Sequence, residues 1–275
     1  MQKKIAVIND LSGYGRCSLT VAIPVLSAMG HQCCPIPTAI LSNHTEFPVY
    51  FFDDYTEKMT TYTDKWKELG LSFDAIATGF LGSEAQIGIV MEIVQKLKAE
   101  KTFVVVDPVM GDHGHAYETY TPEMCEQMKE LVCMADVVLP NVTECCILTD
   151  TPYREENWAR KELLNMAMML RLMGAKSVVI TGVREGSCYT NVVLEQGQYD
   201  AKFIWTRSSG GERPGTGDVF SSVVAGALLN GKSLPEAVSQ AAGFVKECIK
   251  VSDEEQIPHA NGVCFEKILG KLIKK

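Results

Sequence analysis

Phe103-Val104-Val105-Val106-Asp107-Pro108-Val109-Met110-Gly111-Asp112 passes from an unbroken apolar run straight into a polar turn that carries glycine and two acids. A strand with one wet face alternates apolar and polar residues, whereas a strand covered on both faces is apolar throughout. Phe103–Val106 therefore reads as a strand inside a parallel sheet, with Asp107 at its carboxyl end. Working outward, Ile5–Ile8, Thr38–Leu41, Ala75–Thr78, Val137–Leu139 and Ser177–Thr181 are further apolar runs of strand length. Helical patterns lie between them. Ser83 and Gln86 form a capping-box pattern ahead of Ile87, Val90, Val94 and Leu97, which share one helix face. Trp158 to Met173 ends at Gly174, a C-cap, and Ser233-Leu234-Pro235-Glu236 opens another helix with Pro in its first turn. Glu185 to Trp205 reads as short strands or a hairpin, turning at Gln196-Gly197. Strand–helix alternation at this spacing predicts a single-domain α/β/α sandwich over residues 1–275, with a mostly parallel central sheet.

In such sheets ligands bind beyond the carboxyl ends of the strands. The segments found there are Asn9-Asp10-Leu11-Ser12-Gly13-Tyr14-Gly15, Ser42-Asn43-His44-Thr45, Gly79-Phe80-Leu81-Gly82, Asp107 to Asp112, Pro140-Asn141-Val142-Thr143-Glu144 and Thr181-Gly182. All are polar or glycine-rich, the organisation of an active-site rim. Alone, Asp107-Pro108 is a turn, and Asn141 with Glu144 is a helix start. Together Asp107, Asp112, Glu144 and the amide of Asn141 supply oxygen ligands suited to hydrated Mg²⁺, directly or through water. His113 and His115 read as solvated loop histidines rather than metal ligands.

A second decisive stretch is Arg213-Pro214-Gly215-Thr216-Gly217-Asp218, which runs into the apolar segment Val219 to Leu229. The free N–H groups of a helix start attract anions, and flanking glycines let a phosphate approach the backbone. A carboxylate beside a phosphate site would repel its ligand unless it takes a proton from a hydroxyl that attacks the phosphate. By itself such an Asp is a helix cap; the acids and amide on the rim are what give Asp218 a chemical reading.

Composition limits the partners. The chain has 275 residues, 46% hydrophobic and 22% charged, with a net charge of −8, which argues against nucleic acid and anionic membrane. No signal peptide opens the chain and no run approaches membrane-spanning length. The ten cysteines include no Cys-x-x-Cys, so zinc and thioredoxin-like chemistry are not expected, and reduced thiols in a cytoplasmic protein are. Two matches mislead. Gly226-Ala227-Leu228-Leu229-Asn230-Gly231-Lys232-Ser233 has the Walker A letters, but its loop positions continue a helix. Gly13-Tyr14-Gly15-Arg16-Cys17-Ser18 lacks the third glycine of a dinucleotide fingerprint, and Leu11 to Thr45 contains no acid to bind a ribose.

With the strand ends assembled, the chain resembles the ribokinase-like superfamily of small-molecule kinases, and within it the pyridoxal (vitamin B6) kinase group. Asp107-Pro-Val-Met-Gly-Asp112, Asn141-Val-Thr-Glu144 and Gly215-Thr-Gly-Asp218 occur in the family's order, and Ser42-Asn43-His44-Thr45 with Gly79-Phe80 points to B6 vitamers. The resemblance implies ATP- and Mg²⁺-dependent phosphorylation of the 5′-hydroxymethyl group of pyridoxal, pyridoxine or pyridoxamine. Asp218 would be the base, with Gly215, Thr216 and Gly217 as the anion hole. Asp107, Asn141, Thr181, Gly182 and Arg213 would bind ATP, and Asp112 and Glu144 would hold magnesium, partly through water. Asp10, Ser12, Asn43, His44, Thr45 and Phe80 would line the pyridine pocket. A homodimer is expected by analogy, and a monovalent-cation requirement is left open. The Asp10-Leu11-Ser12-Gly13 turn is closer to the hydroxymethylpyrimidine kinases of thiamine synthesis, and Phe80 stands where many B6 kinases have Tyr. The pyrimidine therefore stays as an alternative acceptor, as does a nucleotide- or vitamin-binding sensor that has lost the reaction.

Overall fold

The computed structural model describes residues 2–273. In chain order the elements are β1 (Lys4–Tyr14), α1 (Ser18–Ala28), β2 (Gln32–Asn43), β3 (Phe52–Asp54), α2 (Thr56–Glu68), β4 (Ala75–Thr78), α3 (Glu84–Leu97), β5 (Phe103–Val106), β6 (Gly111–Asp112) and β7 (His115–Ala116). There follow α4 (Pro122–Cys133), β8 (Val137–Val138), α5 (Val142–Leu148), α6 (Arg160–Met173), β9 (Ser177–Glu185), β10 (Cys188–Leu194), β11 (Lys202–Arg207), α7 (Thr216–Leu229) and α8 (Leu234–Glu254). Nine strands form one sheet in the order β11-β10-β9-β8-β5-β4-β1-β2-β3, and β6-β7 is a separate ribbon. The sheet is parallel from β9 to β2, and β3, β10 and β11 add antiparallel edges. The region from Glu185 to Trp205 is the β10–β11 hairpin expected from its turn residues, with Gly197 at φ 78°.

The unbroken apolar runs have the predicted cause. Along β1, β4 and β5 the pleat sends Ala6, Ile8, Ile76, Val104 and Val106 into one buried layer, with residues from α2 to α6. Ile5, Val7, Ala75 and Val105 enter the opposite layer, beneath α1, α7 and α8. Both faces are dry along this stretch, so the positions that point into the two layers are apolar. β1 lies between β4 and β2, so the chain leaves it on one side and returns on the other. A crevice opens at such a switch point, and the ends of β1 and β4 border it.

The structure differs from the pattern reading in specific places. β4 and β5 have the bounds read from their apolar runs, but β1 continues through Tyr14 instead of ending at Ile8. After an irregularity at Asn9, Leu11, Ser12 and Tyr14 still pair with Ile40, Leu41 and Asn43 of β2. The ladder needs backbone groups rather than apolar side chains, so a polar segment extends the strand once its neighbour is present. The Ser83–Gln86 box is half formed. Ser83 accepts from the Gln86 N–H, but the Gln86 side chain accepts from the Gly82 N–H and donates to Thr38 O. The Ser233–Glu236 box is complete. The Walker A look-alike lies on α7 and its exit turn: α7 runs to Leu229, and a Cβ at Gly226 would sit 2.6 Å from Met29 Sδ. No phosphate loop exists there. Among the described residues, no helix is long and apolar enough to cross a membrane.

Candidate active site

The Gly215-Thr216-Gly217-Asp218 turn opens α7 against the end of β1. Gly215 occupies the left-handed region at φ 78°, and a Cβ there would lie 1.7 Å from the Arg16 carbonyl oxygen. Both conformation and space therefore demand glycine. Thr216 is committed locally, its hydroxyl donating to Arg213 O at 3.0 Å. Gly217 is exposed with nothing within 4 Å of an added Cβ, so the first turn of α7 is open there to an approaching group. This is the arrangement that receives an anion.

Asp218 is fixed by Asn9. The Asn9 Oδ1 accepts from the N–H groups of Asp10 and Phe80, each at 3.0 Å, which turns the Asn9 amide NH₂ toward Asp218 Oδ1 at 3.2 Å. Two backbone donors on one side leave the amide a single orientation. One side chain thus ties the middle of β1 and the end of β4 to the start of α7. The backbone N–H of Ser18, at the start of α1, also donates to Asp218. Burial raises the Asp218 carboxyl to about 6, with the charge of Asp10 adding and the Ser18 and Asn9 hydrogen bonds opposing.

The acids expected around the nucleotide form a second pole. Burial, reinforced by the charge of Asp218, pushes Asp107 up to about 8, and the Ser221 hydroxyl works the other way. Glu144 is pushed well above the ordinary range by burial and by Asp107, although the N–H groups of Asn141 and Met110 donate to its two oxygens. Asn141 caps α5, its carbonyl oxygen accepting from the Glu144 N–H at 2.8 Å. Its Nδ2 donates to Gly111 O at 2.9 Å, which anchors the turn carrying Asp112. Asn141 also bridges to Thr181, and Gly182 follows in the left-handed region at φ 68°. Asp107, Asn141, Glu144, Thr181 and the Asp112 turn are therefore one connected rim.

Among the described residues no lysine or arginine pairs with Asp107, Asp112, Glu144 or Asp218, and the exposed His113 lies 3.9 Å from Asp112. Arg213 donates to Ile257 O and to Asp253 at 2.8 Å, and Arg16 is paired with Glu266 at 2.7 Å. The chemistry of this donor set fits hydrated magnesium: buried carboxyls raised for want of counter-charge would ionise beside a divalent cation. Among the described residues, no group of three or more His, Cys, Asp or Glu side chains could hold a metal unaided. Waters and phosphate oxygens would complete the coordination. Asp112 is exposed, whereas Glu144 is 3% exposed and would act on an ion through water or through its field.

The acceptor side is built differently. Asp10 is buried and accepts from the Ser12 hydroxyl at 2.8 Å and from the Ser18 hydroxyl. Ser12, fully enclosed, supports the pocket through Asp10 rather than offering its own hydroxyl. His44 is buried, bonds Ala260 O through Nε2 at 2.7 Å, and packs on Phe47 with ring centroids 4.7 Å apart. Asn43 donates to Val49 O at 2.9 Å and so ties its own loop, while Thr45 is exposed. Phe80 meets the site through its backbone N–H on Asn9, and its ring is partly buried. Arg213, expected beside the nucleotide, pairs with Asp253 near the end of α8. Asn9, Ser18 and Ser221 were absent from the sequence-derived set. Each is unremarkable in sequence and becomes functional only where β1, α1 and α7 converge.

This rim, on a nine-stranded mostly parallel sheet, defines a small-molecule kinase of the ribokinase-like class. The family model for phosphomethylpyrimidine kinase matches residues 22–264, and the chain belongs to that family. It is similar over 99% of its length, at 39% identity and a TM-score of 0.94, to the crystal structure with pyridoxal of a Bacteroides thetaiotaomicron protein described as a phosphomethylpyrimidine kinase, 96% of which is covered. Pyridoxal kinase from Lactobacillus plantarum superimposes with a TM-score of 0.91 at 27% identity, covering 99% of this chain and 97% of that one. The hydroxymethylpyrimidine/phosphomethylpyrimidine kinase of Aquifex aeolicus is 32% identical over 174 residues, 62% of this chain and 66% of the relative.

Proposed function

We propose that the protein phosphorylates the 5′-hydroxymethyl group of a B6 vitamer with ATP, Asp218 acting as base. The observation that carries this reading is the Asn9-held carboxylate beside the open, glycine-built Gly215–Gly217 turn. A base within one turn of an anion site is what attack of a hydroxyl on a phosphoryl group requires. With its carboxyl at about 6, Asp218 is ionised at neutral pH yet a better proton acceptor than an ordinary aspartate.

The acceptor hydroxyl is placed between Asp218 and the γ-phosphoryl group, and gives its proton to the carboxylate as the new P–O bond forms. The N–H groups of the glycine turn and the α7 dipole stabilise the charge on the transferring phosphoryl oxygens. Magnesium, held near Asp107, Asp112 and Glu144, would neutralise triphosphate charge. Asn141, Thr181 and Gly182 orient the nucleotide along the same rim. Asp10, His44, Phe80 and the loop tied by Asn43 and ending near Thr45 shape the space for the heterocycle.

Pyridoxal in the Bacteroides thetaiotaomicron relative supports a B6 acceptor. Hydroxymethylpyrimidine is the second reading, favoured by the family match and by the Asp10-Leu11-Ser12-Gly13 segment. Turnover with pyridoxal, pyridoxine, pyridoxamine and hydroxymethylpyrimidine, with and without Mg²⁺, separates them. A B6 vitamer is expected to give the highest kcat/KM. Preference for the pyrimidine overturns the acceptor, and no turnover with any of them overturns the reaction.

A further inference from the structure

Beside Asp218 lies a small cavity of about 20 Å³. Its wall combines Val7, Ala77 and Val105 of the sheet, Ala22 of α1, and Asp218, Ser221 and Ser222 of α7. Positions 218, 221 and 222 are three and four residues apart, so helical geometry places them on one face, turned toward the sheet. The space exists because Ala22, Ala77 and Ala225 are all small where α1, α7 and the strands meet.

Two observations say that this cavity is not a packing defect. Its volume exceeds the roughly 10–15 Å³ that one water needs, and its lining holds the 2–4 polar partners that a buried water requires. Ser222 is 6% exposed, and no hydrogen bond engages its hydroxyl among the described residues. A hydroxyl with no protein partner on the wall of a polar pocket is open to a water there.

We propose that the cavity is a built site for one ordered water, which accepts a hydrogen bond from Ser222 and donates one to the Asp218 carboxylate. Ser222 is then a positioning residue. Asn9 and the Ser18 N–H hold the base directly, and the water adds a further donor, leaving its remaining lone pairs to the acceptor hydroxyl. The kinetic consequence rests on Asp218 being the base; the water site itself does not.

The test is a crystal structure of the full chain at about 1.5 Å, a resolution at which buried waters are seen, for the wild type, Ser222→Ala and Ser222→Thr, with steady-state kinetics on each. Expected are a water within hydrogen-bond distance of Ser222 and Asp218 in the wild type and Ser222→Thr, and its loss in Ser222→Ala. Removing one hydrogen bond to a charged group is expected to lower kcat about tenfold in Ser222→Ala with both KM values within about twofold, while Ser222→Thr stays within about threefold of wild type. A dry wild-type cavity overturns the site. Water present with an unchanged kcat in Ser222→Ala overturns the positioning role. Should no acceptor be phosphorylated, the kinase reading falls, and the electron density still decides the water. Should Ser222→Ala fail to fold, the wild-type density and the Ser222→Thr kinetics decide.

Discussion

The two ends of the candidate site are built to different standards. The phosphoryl end, Gly215 to Asp218, is fixed by contacts from distant parts of the chain: Asn9 on β1, the Ser18 N–H on α1, and the Arg16 carbonyl that leaves no room for a side chain at Gly215. The acceptor end, Asn43 to Phe52, is tied mostly to itself, through Asn43 to Val49 O and Ser42 to the Phe51 N–H. Val49 is 78% exposed and Phe51 64%, so this segment carries apolar side chains without burying them. His44, on Ala260 O, is its long-range anchor. Chemistry that tolerates no displacement sits on converging elements, and recognition that can change sits on a loop.

This contrast is broken most directly at the base. Asp218→Ala is expected to lower kcat by roughly a thousandfold or more with ATP binding and the circular dichroism spectrum retained. Near-normal turnover would overturn both the base and the contrast. Gly215→Ala forces a Cβ onto the Arg16 carbonyl, so kcat should fall about a hundredfold or more and Tm should drop by several degrees. Retention of both would mean that the turn is looser than its contacts indicate.

Asn9→Ala sharpens the comparison, because it loosens the base without touching it. A fall in kcat of about ten- to a hundredfold is expected. It also carries a pH signature. The base must be ionised, so wild-type kcat/KM should rise with pH and level off above about 6. The Asn9 amide stabilises the ionised form, so its removal should move that limb to higher pH; a shift to lower pH would contradict the assignment. At the acceptor end, His44→Ala should raise KM for the acceptor about tenfold and leave kcat within about twofold, since it shapes the pocket and takes no part in proton transfer. The smallest effect is expected at Lys232, whose ammonium bonds Gln240 at 2.6 Å on the surface after α7. Lys232→Ala should change neither kcat nor KM beyond about twofold, where a true phosphate loop would lose nearly all activity.

Much of this was legible in the amino-acid order. The dry runs at Ala75–Thr78 and Phe103–Val106 gave their strands to the residue, because a strand buried on both faces has no freedom in its side-chain class. The rim acids and the glycine turn were legible because phosphate, metal and proton chemistry restrict the residue types that serve them. The pairing of the polar half of β1 was not, since it rests on the backbone of β2. Nor was the commitment of Arg213 to Asp253: a cation near an anion site in sequence finds its partner only when α8 returns alongside. By itself, then, the sequence determined the layered α/β class, the strand ends and the inventory of reactive groups, all properties of local pattern. The tertiary structure alone decided that Asn9 holds Asp218, that Asp107 and Asp218 raise one another's electrostatic cost, and that Ser222 faces a polar cavity. Those are distances between residues far apart in the chain, and only packing sets them.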